Sequence, residues 1–270
     1  MTSTTLVLGA RPRQFPFVGL GTRVIERNFL VYRRAWIVFL TGFLEPVLYL
    51  FSIGIGVGGL VGEFPLDDGS LISYTAFVAP AMLAAAAMNG ALYDATFGLF
   101  FRFKYDKLYD AVLATPLGPR DIARGELTWC LLRGSCYSAA FIVVMAGMGL
   151  IGSWWGLLLI PSSMLIGFAF GGAGMALTTY MKSWQDFEYV TLAIMPMFLF
   201  SATFYPLSTY PQALQWVVQM TPLYQGVVLC RELSTGTVGW DAGVAVGYLL
   251  IMGSAGLYAA SRRLGTLLLK

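Results

Sequence analysis

Apolar runs of about 20 residues recur from end to end of this chain, and a run of that length crosses a hydrocarbon core of about 30 Å as a helix. The runs predict six membrane spans, at about 36–58, 71–93, 127–151, 155–181, 189–205 and 243–260. Ahead of the first, in FVGLGTRVIERNFLVYRRAW, Val18, Ile25, Phe29 and Trp36 fall near one helical face while Arg23, Glu26, Arg27 and Arg34 lie elsewhere. That is the pattern of an amphipathic helix lying in the membrane surface over residues 17–35; a basic tail without fixed structure is the plainer reading of the same stretch. Over residues 206–241, Pro206, Pro211 and Pro222 cut the sequence into apolar pieces of about ten residues, too short to span and suited to a re-entrant or interfacial helical hairpin. The expectation is an all-α polytopic protein with one membrane domain over residues 1–270.

Charge orients these spans. Arg11, Arg13, Arg23, Arg27, Arg33 and Arg34 precede the first; Arg102, Lys104, Lys107, Arg120 and Arg124 lie between the second and third, and Arg133 a short way into the third. Lys182 follows the fourth, and Arg262, Arg263 and Lys270 follow the sixth, whereas the opposite side has only Arg231, a division of sixteen to one. Because basic residues stay on the cytoplasmic side, both termini and the 94–126 loop are predicted there, and the 206–241 hairpin outside. The acidic residues of the first external loop, Glu63, Asp67 and Asp68, agree.

Composition supports the same solvent: 57% of residues are hydrophobic and 11% charged, against roughly 25% charged in soluble domains. A net charge of +3 is no nucleic-acid footprint. Cys130, Cys136 and Cys230 have no C-x-x-C spacing and read as packing residues. The first 35 residues lack a short apolar core with a small-residue cleavage site, so no cleaved signal peptide is expected.

Several chemistries are excluded. With no histidine there is no histidine-based triad, no H-E-x-x-H metal site and no imidazole relay. No G-x-x-x-x-G-K-[ST] or G-x-S-x-G motif occurs either, so neither a phosphate loop nor a serine elbow is present. Two ionisable residues stand inside apolar runs, where a charge costs about 2.5–3.5 kcal/mol on insertion scales. Glu45, directly before Pro46, either faces a substrate path or is protonated or bonded to a neighbouring helix; Arg133 is close enough to the cytoplasmic edge to snorkel. Gly167 with Gly171, and Gly243 with Gly247, have the spacing of close helix contacts within a subunit. Trp154, Trp155, Phe204, Tyr205, Tyr210, Trp216 and Tyr224 read as an interfacial belt on the external side.

The polar elbow 94–126 stands apart from a solvated loop. In FGLFFRFKYDKLYDAVLA, aromatic and aliphatic residues alternate with Arg102, Lys104, Asp106, Lys107 and Asp110, as an interfacial helix requires. Pro116 ends that helix, Gly118-Pro119 reverses the chain, and Asp121 favours the start of the next helix. Its five basic and five acidic residues cancel, so it is no basic lipid-binding patch.

The stretch KLYDAVLATPLGPRDIARGELTW resembles the loop after the second span of type-2 ATP-binding-cassette exporter permeases, in the branch of the nodulation lipo-oligosaccharide and daunorubicin-type drug exporters. A second block, DFEYVTLAIMPMFLFSATFYPLSTYPQALQWVVQMTPLYQGVVLCRE, is similar to the fifth span and external hairpin of that family, with Ser201-Ala202-Thr203 in place of the more frequent Ser-Gly-Thr. The resemblance implies a permease subunit without an ATPase site of its own, hence no enzyme, in a bacterial cell membrane. It holds no cofactor, and ATP and Mg belong to an ATPase subunit present in two copies. A second permease subunit, the same chain or a different one, completes the complex with membrane lipid around it; the cargo is an amphiphilic drug, lipid, glycolipid or polysaccharide, and nucleic acid is no partner. It also implies a coupling helix at or beside Phe100 to Ala114, placing Arg102, Lys104, Asp106, Lys107, Tyr109 and Asp110 against the ATPase, with Pro116, Arg120 and Asp121 leading back to the third span. KSWQDFE, with Asp186 and Glu188, gives a second contact. The substrate passes between two permeases along the first, second and fifth spans, which places Glu45, Tyr49, Phe198, Phe204 and Tyr205 on its path. The alternative is an ion-gradient-driven secondary transporter or channel, marked by buried ionisable residues in several spans.

Overall fold

The computed structural model describes residues 24–30, 44, 47–65, 71–115 and 117–268. Glu45, Pro116 and most of the surface helix expected over residues 17–35 lie outside these, while residues 24–30 are helical.

An apolar helix α1 (Val47–Val61), whose middle is a π-helical turn at Ser52–Val57, leads into two short strands, β1 (Glu63–Pro65) and β2 (Leu71–Ser73). They pair antiparallel with Glu63 opposite Ser73 and Pro65 opposite Leu71. This hairpin takes the residues that the apolar run had assigned to the start of a span. Ser73 marks the change, its hydroxyl accepting the Ala76 amide at 3.2 Å as an N-cap.

Among the described residues, four helices are long and apolar enough to cross a membrane: α2 (Tyr74–Lys104), α4 (Pro119–Gly147), α5 (Trp154–Thr178) and α9 (Trp240–Leu268). Between the first two lies the short α3 (Leu108–Leu113). After α5 come α6 (Phe187–Leu199), then α7 (Gln212–Met220) and α8 (Pro222–Thr235), two helices broken at Thr221 within the stretch read as a helical hairpin over 206–241. Pro222 at the first position of α8 needs no helical partner for its missing N–H.

Alanine dominates the middle of α2, where Ala84, Ala85, Ala86 and Ala87 are all buried. Small side chains let neighbours approach from every side, so α2 is the hub: its apolar window is 78% buried, against 28% for α9 at the rim. The larger apolar cluster gathers Phe77, Leu83, Met88, Phe141, Ile166, Val227 and Leu249 around it. A smaller cluster, with Leu99, Tyr109, Ile122, Leu127, Met175 and Leu264, fills the end of the bundle next to α3.

The tightest helix contact joins α5 to α9. A Cβ on Gly172 would come within 2.6 Å of the Gly253 carbonyl oxygen, so backbone meets backbone there. The glycine seam expected on α9 at Gly243 and Gly247 is thus displaced to Gly253 and Gly256; Gly243 and Gly247 would have no atom within 4 Å of an added Cβ. On α5, Gly167 and Gly171 instead receive Leu131 and Leu127 of α4.

Candidate functional site

Near its end α2 opens into a π-helical turn, Asp94–Gly98. In a regular helix residues eight apart stand about 80° apart around the axis; one extra residue in a widened turn turns the second back by about 100°, which leaves about 20° between them and brings both to one face. Asp94 and Arg102 are such a pair, and the Arg102 Nη2 lies 4.0 Å from Asp94 Oδ1. Gly98 sits between them, where a Cβ would meet Asp94 Oδ1 at 2.8 Å and Arg102 Nη2 at 3.0 Å. Within the turn, the Ala95 carbonyl accepts the Thr178 hydroxyl of α5 at 3.1 Å.

The opposite face comes from α4. Its Glu126, Cys130, Arg133 and Tyr137 follow at helical spacing on one side. Arg133 Nη1 donates to Asp94 Oδ1 at 3.1 Å and its Nε to the Tyr137 hydroxyl at 3.0 Å, while the Cys130 thiol reaches Asp94 Oδ2 at 3.4 Å. Arg133, read as placed to snorkel, is part-buried and pairs with a carboxylate from α2.

Glu126 is fully buried, at 0% exposure. One oxygen, Oε1, accepts the Tyr109 hydroxyl of α3 at 3.0 Å; the other, Oε2, accepts the Asn28 side-chain amide at 3.1 Å and lies 3.2 Å from Arg102 Nη2. Residues 24–30, α2, α3 and α4 therefore converge on one carboxylate. Two carboxylates and two guanidiniums make the set neutral, the condition under which charges tolerate burial. Burial first, and then the charge of Glu126, push the Tyr109 phenol well above its ordinary pKa, so its hydroxyl stays a donor.

α3 reaches this position through a sharp reversal. α2 ends with the Tyr105 and Asp106 amides both on the Phe101 carbonyl, and Lys107 adopts the left-handed region at φ 46°. Phe100 to Ala114 is thus two helices with a break, not one element. On return, the Gly118 amide donates to Asp121 Oδ2 at 3.1 Å at the start of α4.

An aromatic block covers the other side of the π turn. Phe97 stacks on Phe187 with centroids 4.1 Å apart, Trp184 meets Phe101 edge-on at 5.3 Å, and Phe100 meets Phe187 at 5.0 Å. The 182–188 segment is thereby fixed to α2. Its Asp186 accepts the Lys182 and Ser183 amides at 2.6 and 3.1 Å, which hold its carboxyl below the usual range.

The chain can now be placed among known proteins. A family model described as ABC-2 type transporter matches residues 22–233. The chain belongs to the ABC-2 type transporter family. Nodulation protein J of Rhizobium leguminosarum bv. viciae is 33% identical over 231 residues, 84% of this chain and 87% of that protein. Nodulation protein J of Rhizobium meliloti (strain 1021) is 31% identical over 229 residues, 84% and 85% of the two chains, and that of Bradyrhizobium diazoefficiens 30% over 233 residues, 85% and 87%. As an ABC-2 type transporter chain it is a multi-pass protein of the cell membrane, and the family implies an ATP-binding partner subunit.

Within this family member the coupling residues read from the sequence fall into distinct groups. Arg102 and Tyr109 are buried in the charge cluster; Lys104, Asp106, Lys107, Asp110 and Arg120 are exposed. Asp121 and Asp186 bond to backbone amides at helix starts, and Glu188 is exposed beside the aromatic block. Of the residues read onto a substrate path, Tyr49 is 53% exposed on α1. Phe198 and Phe204 meet edge-on at 5.4 Å and Tyr205 packs against Tyr210 at 5.1 Å, around the buried turn that follows α6. Asn28 and Asp94 carry no signal of a site role in the sequence, and Glu126 reads there only as one charge of the polar elbow. The signal for Glu126 was there, in its spacing of seven to Arg133 and eleven to Tyr137 along an otherwise apolar face.

Proposed function

We propose that the chain is the permease subunit of an ATP-binding-cassette exporter, with six spans and both termini in the cytoplasm. The observation that carries this is the convergence of α3, α2, α4 and residues 24–30 on the buried Glu126. A force-bearing contact needs a short element on the surface joined rigidly to the spans behind it, and α3 has that form. Its exposed Asp110, with Lys104, Asp106, Lys107 and Arg120 around it, would face the ATPase; its buried Tyr109 would pass the displacement to α4 and, through Arg102, to α2. The aromatic block would carry the same motion to α6, with Glu188 as a second contact.

α1 and α6 supply the remaining two spans in this reading. Only Phe187 and Val190 of α6 are buried, leaving Tyr189, Leu192, Met195 and Leu199 uncovered. A second permease subunit, identical or different, would cover that face, with an amphiphilic substrate moving between the two past Glu45, Tyr49, Phe198, Phe204 and Tyr205. ATP and Mg would sit in two copies of the ATPase subunit.

The test is co-purification and turnover. The chain should form a complex with an ATPase whose hydrolysis responds to its presence; no complex with any ATPase, and no response, would sink the proposal. The buried Asp94 and Glu126 also fit a proton path, as in an ion-gradient-driven transporter. Efflux that collapses with the ion gradient while ATP is maintained would favour that second reading.

A further inference from the structure

At the end of the bundle that holds Leu264 and Tyr109, an open recess of about 350 Å³ lies between the end of α5 and the last turns of α9, lined by Tyr180, Tyr258, Ala259, Arg262, Arg263 and Thr266. Arg263 lies over the Tyr180 ring at 3.7 Å and donates from Nε to the Thr179 carbonyl at 3.3 Å. Arg262 is exposed, with Nη1 3.5 Å from the Tyr258 hydroxyl. Among the described residues neither guanidinium pairs with a carboxylate, which sets this recess apart from the neutral cluster at Glu126.

We propose that this recess binds the phosphate headgroup of an anionic membrane phospholipid, of the phosphatidylglycerol class. Two guanidiniums that line one recess match phosphate oxygens by their planar fork of donors. They outweigh the roughly half negative charge of the α9 C-terminal dipole. The two tyrosines, 59% and 67% exposed, have the amphipathic form of residues at the headgroup level. What singles out a lipid from a free phosphate or an acidic protein is the surface below. Ile251, seven residues before Tyr258 on the same face of α9, is 72% exposed, and Leu177, one turn before Tyr180, is 52% exposed. A single molecule with an anionic head and acyl chains would satisfy the cations and cover both apolar residues. The site does not depend on the coupling role of Glu126, and its test is separate.

The full chain, purified in mild detergent, is titrated with phosphatidylglycerol, phosphatidylcholine or inorganic phosphate, and bound lipid is counted by native mass spectrometry. Phosphatidylglycerol should be retained in preference to phosphatidylcholine, inorganic phosphate at millimolar concentration should not displace it, and Arg262→Gln should weaken retention about fivefold. Arg262→Lys should keep most of the preference. Because Arg263 packs on Tyr180, its substitution risks the fold, and the exposed Arg262 is the variant that decides. Unchanged phosphatidylglycerol retention in Arg262→Gln overturns the proposal. Displacement by inorganic phosphate overturns it in favour of a simple anion site. Loss of ATPase co-purification in Arg262→Gln with lipid retention intact overturns it in favour of a protein contact.

Discussion

The Tyr109 hydroxyl donates to Glu126 Oε1 at 3.0 Å and so ties the six-residue helix α3 to the buried face of α4. Tyr109 is 1% exposed and Glu126 0%, so bulk solvent does not compete for either partner in this arrangement. A displacement of α3 is therefore a displacement of α4, or else it breaks a hydrogen bond to a charge.

Tyr109→Phe removes that bond and leaves the ring in place. A hydrogen bond to a charged group contributes about 1.5–3 kcal/mol, so the variant should melt at a lower temperature than the wild type, and ATP hydrolysis by the assembled complex should lose its response to substrate. The pH dependence has a definite sign. Because the phenol is raised in the folded state, the stability it contributes is fully present below the unfolded value of about 10 and is lost as pH rises through the higher folded value. Melting temperatures of wild type and Tyr109→Phe from pH 7 to 11 should differ by a constant amount up to about pH 9, and the gap should narrow above pH 10. A gap that widens there would contradict the burial of the phenol.

At Gly98 the two charges leave no room for a methyl group: Asp94 Oδ1 and Arg102 Nη2 would stand 2.8 and 3.0 Å from a Cβ. Gly98→Ala must therefore push the carboxylate or the guanidinium aside. Overpacking of this kind costs about 1–3 kcal/mol, and loosening one member of a buried ion pair adds to it. Thermal unfolding should show the loss. Substituting Gly243→Ala, where an added Cβ meets nothing within 4 Å, should leave the melting temperature close to that of the wild type.

Much of the architecture was legible in the apolar runs. Helices α2, α4, α5 and α9 each contain most of a run, because helix length in a membrane follows from the thickness to be crossed. Their ends were legible only in part: Gly118-Pro119 and Asp121 mark the start of α4, whereas the far end of α2 is set by local packing. α2 continues to Lys104 because the π turn turns Arg102 inward to Asp94 and Glu126, so a residue that reads as polar loop is interior. α4 starts at Pro119, since Asp121 and Gly118 close its first turn ahead of the apolar run. The charge cluster was hidden for a related reason: Asp94 and Glu126 stand at the edges of two runs, where a carboxylate looks solvated, and only the packing of α2 on α4 shows them facing each other. For α6 the apolar run to Tyr205 outlasts the helix, which ends at Leu199, because Ser201, Ala202 and Thr203 form a buried turn whose hydroxyls bond back to the Phe198 carbonyl.

That turn carries its own prediction. Ala202 has φ 55°, in the left-handed region, is 1% exposed, and offers its carbonyl to Arg231 Nη2 at 2.8 Å. For Ala202→Gly, relief of about 1–2 kcal/mol of backbone strain is offset by the looser unfolded chain and the lost methyl burial, so stability should change by less than about 1 kcal/mol. Ala202→Val adds β-branching in a disfavoured region and two carbons in a closed space, a loss of about 2–4 kcal/mol. Chemical or thermal unfolding of the two variants should differ accordingly; equal stability would mean that the turn is not held in this conformation.

Asp110 on α3 and Arg120 at the start of α4 are both exposed and separate contact with a partner from stability of the fold. Both lie in the first turn of their helices, where an exposed charge interacts with the dipole by about 0.3–1 kcal/mol, so Asp110→Arg and Arg120→Glu should leave membrane insertion intact and shift the melting temperature only slightly. If α3 bears on an ATPase, the reversed charge meets a surface suited to the original one, a mismatch that costs several kcal/mol when the groups are desolvated. Transport should then fall by at least tenfold while the ATPase continues to hydrolyse ATP, the opposite balance from Tyr109→Phe, where stability falls as well. A double variant in which the facing ATPase charge is also reversed should recover transport. If Asp110→Arg and Arg120→Glu both transport at the wild-type rate, α3 does not dock there, and the convergence on Glu126 serves the fold alone.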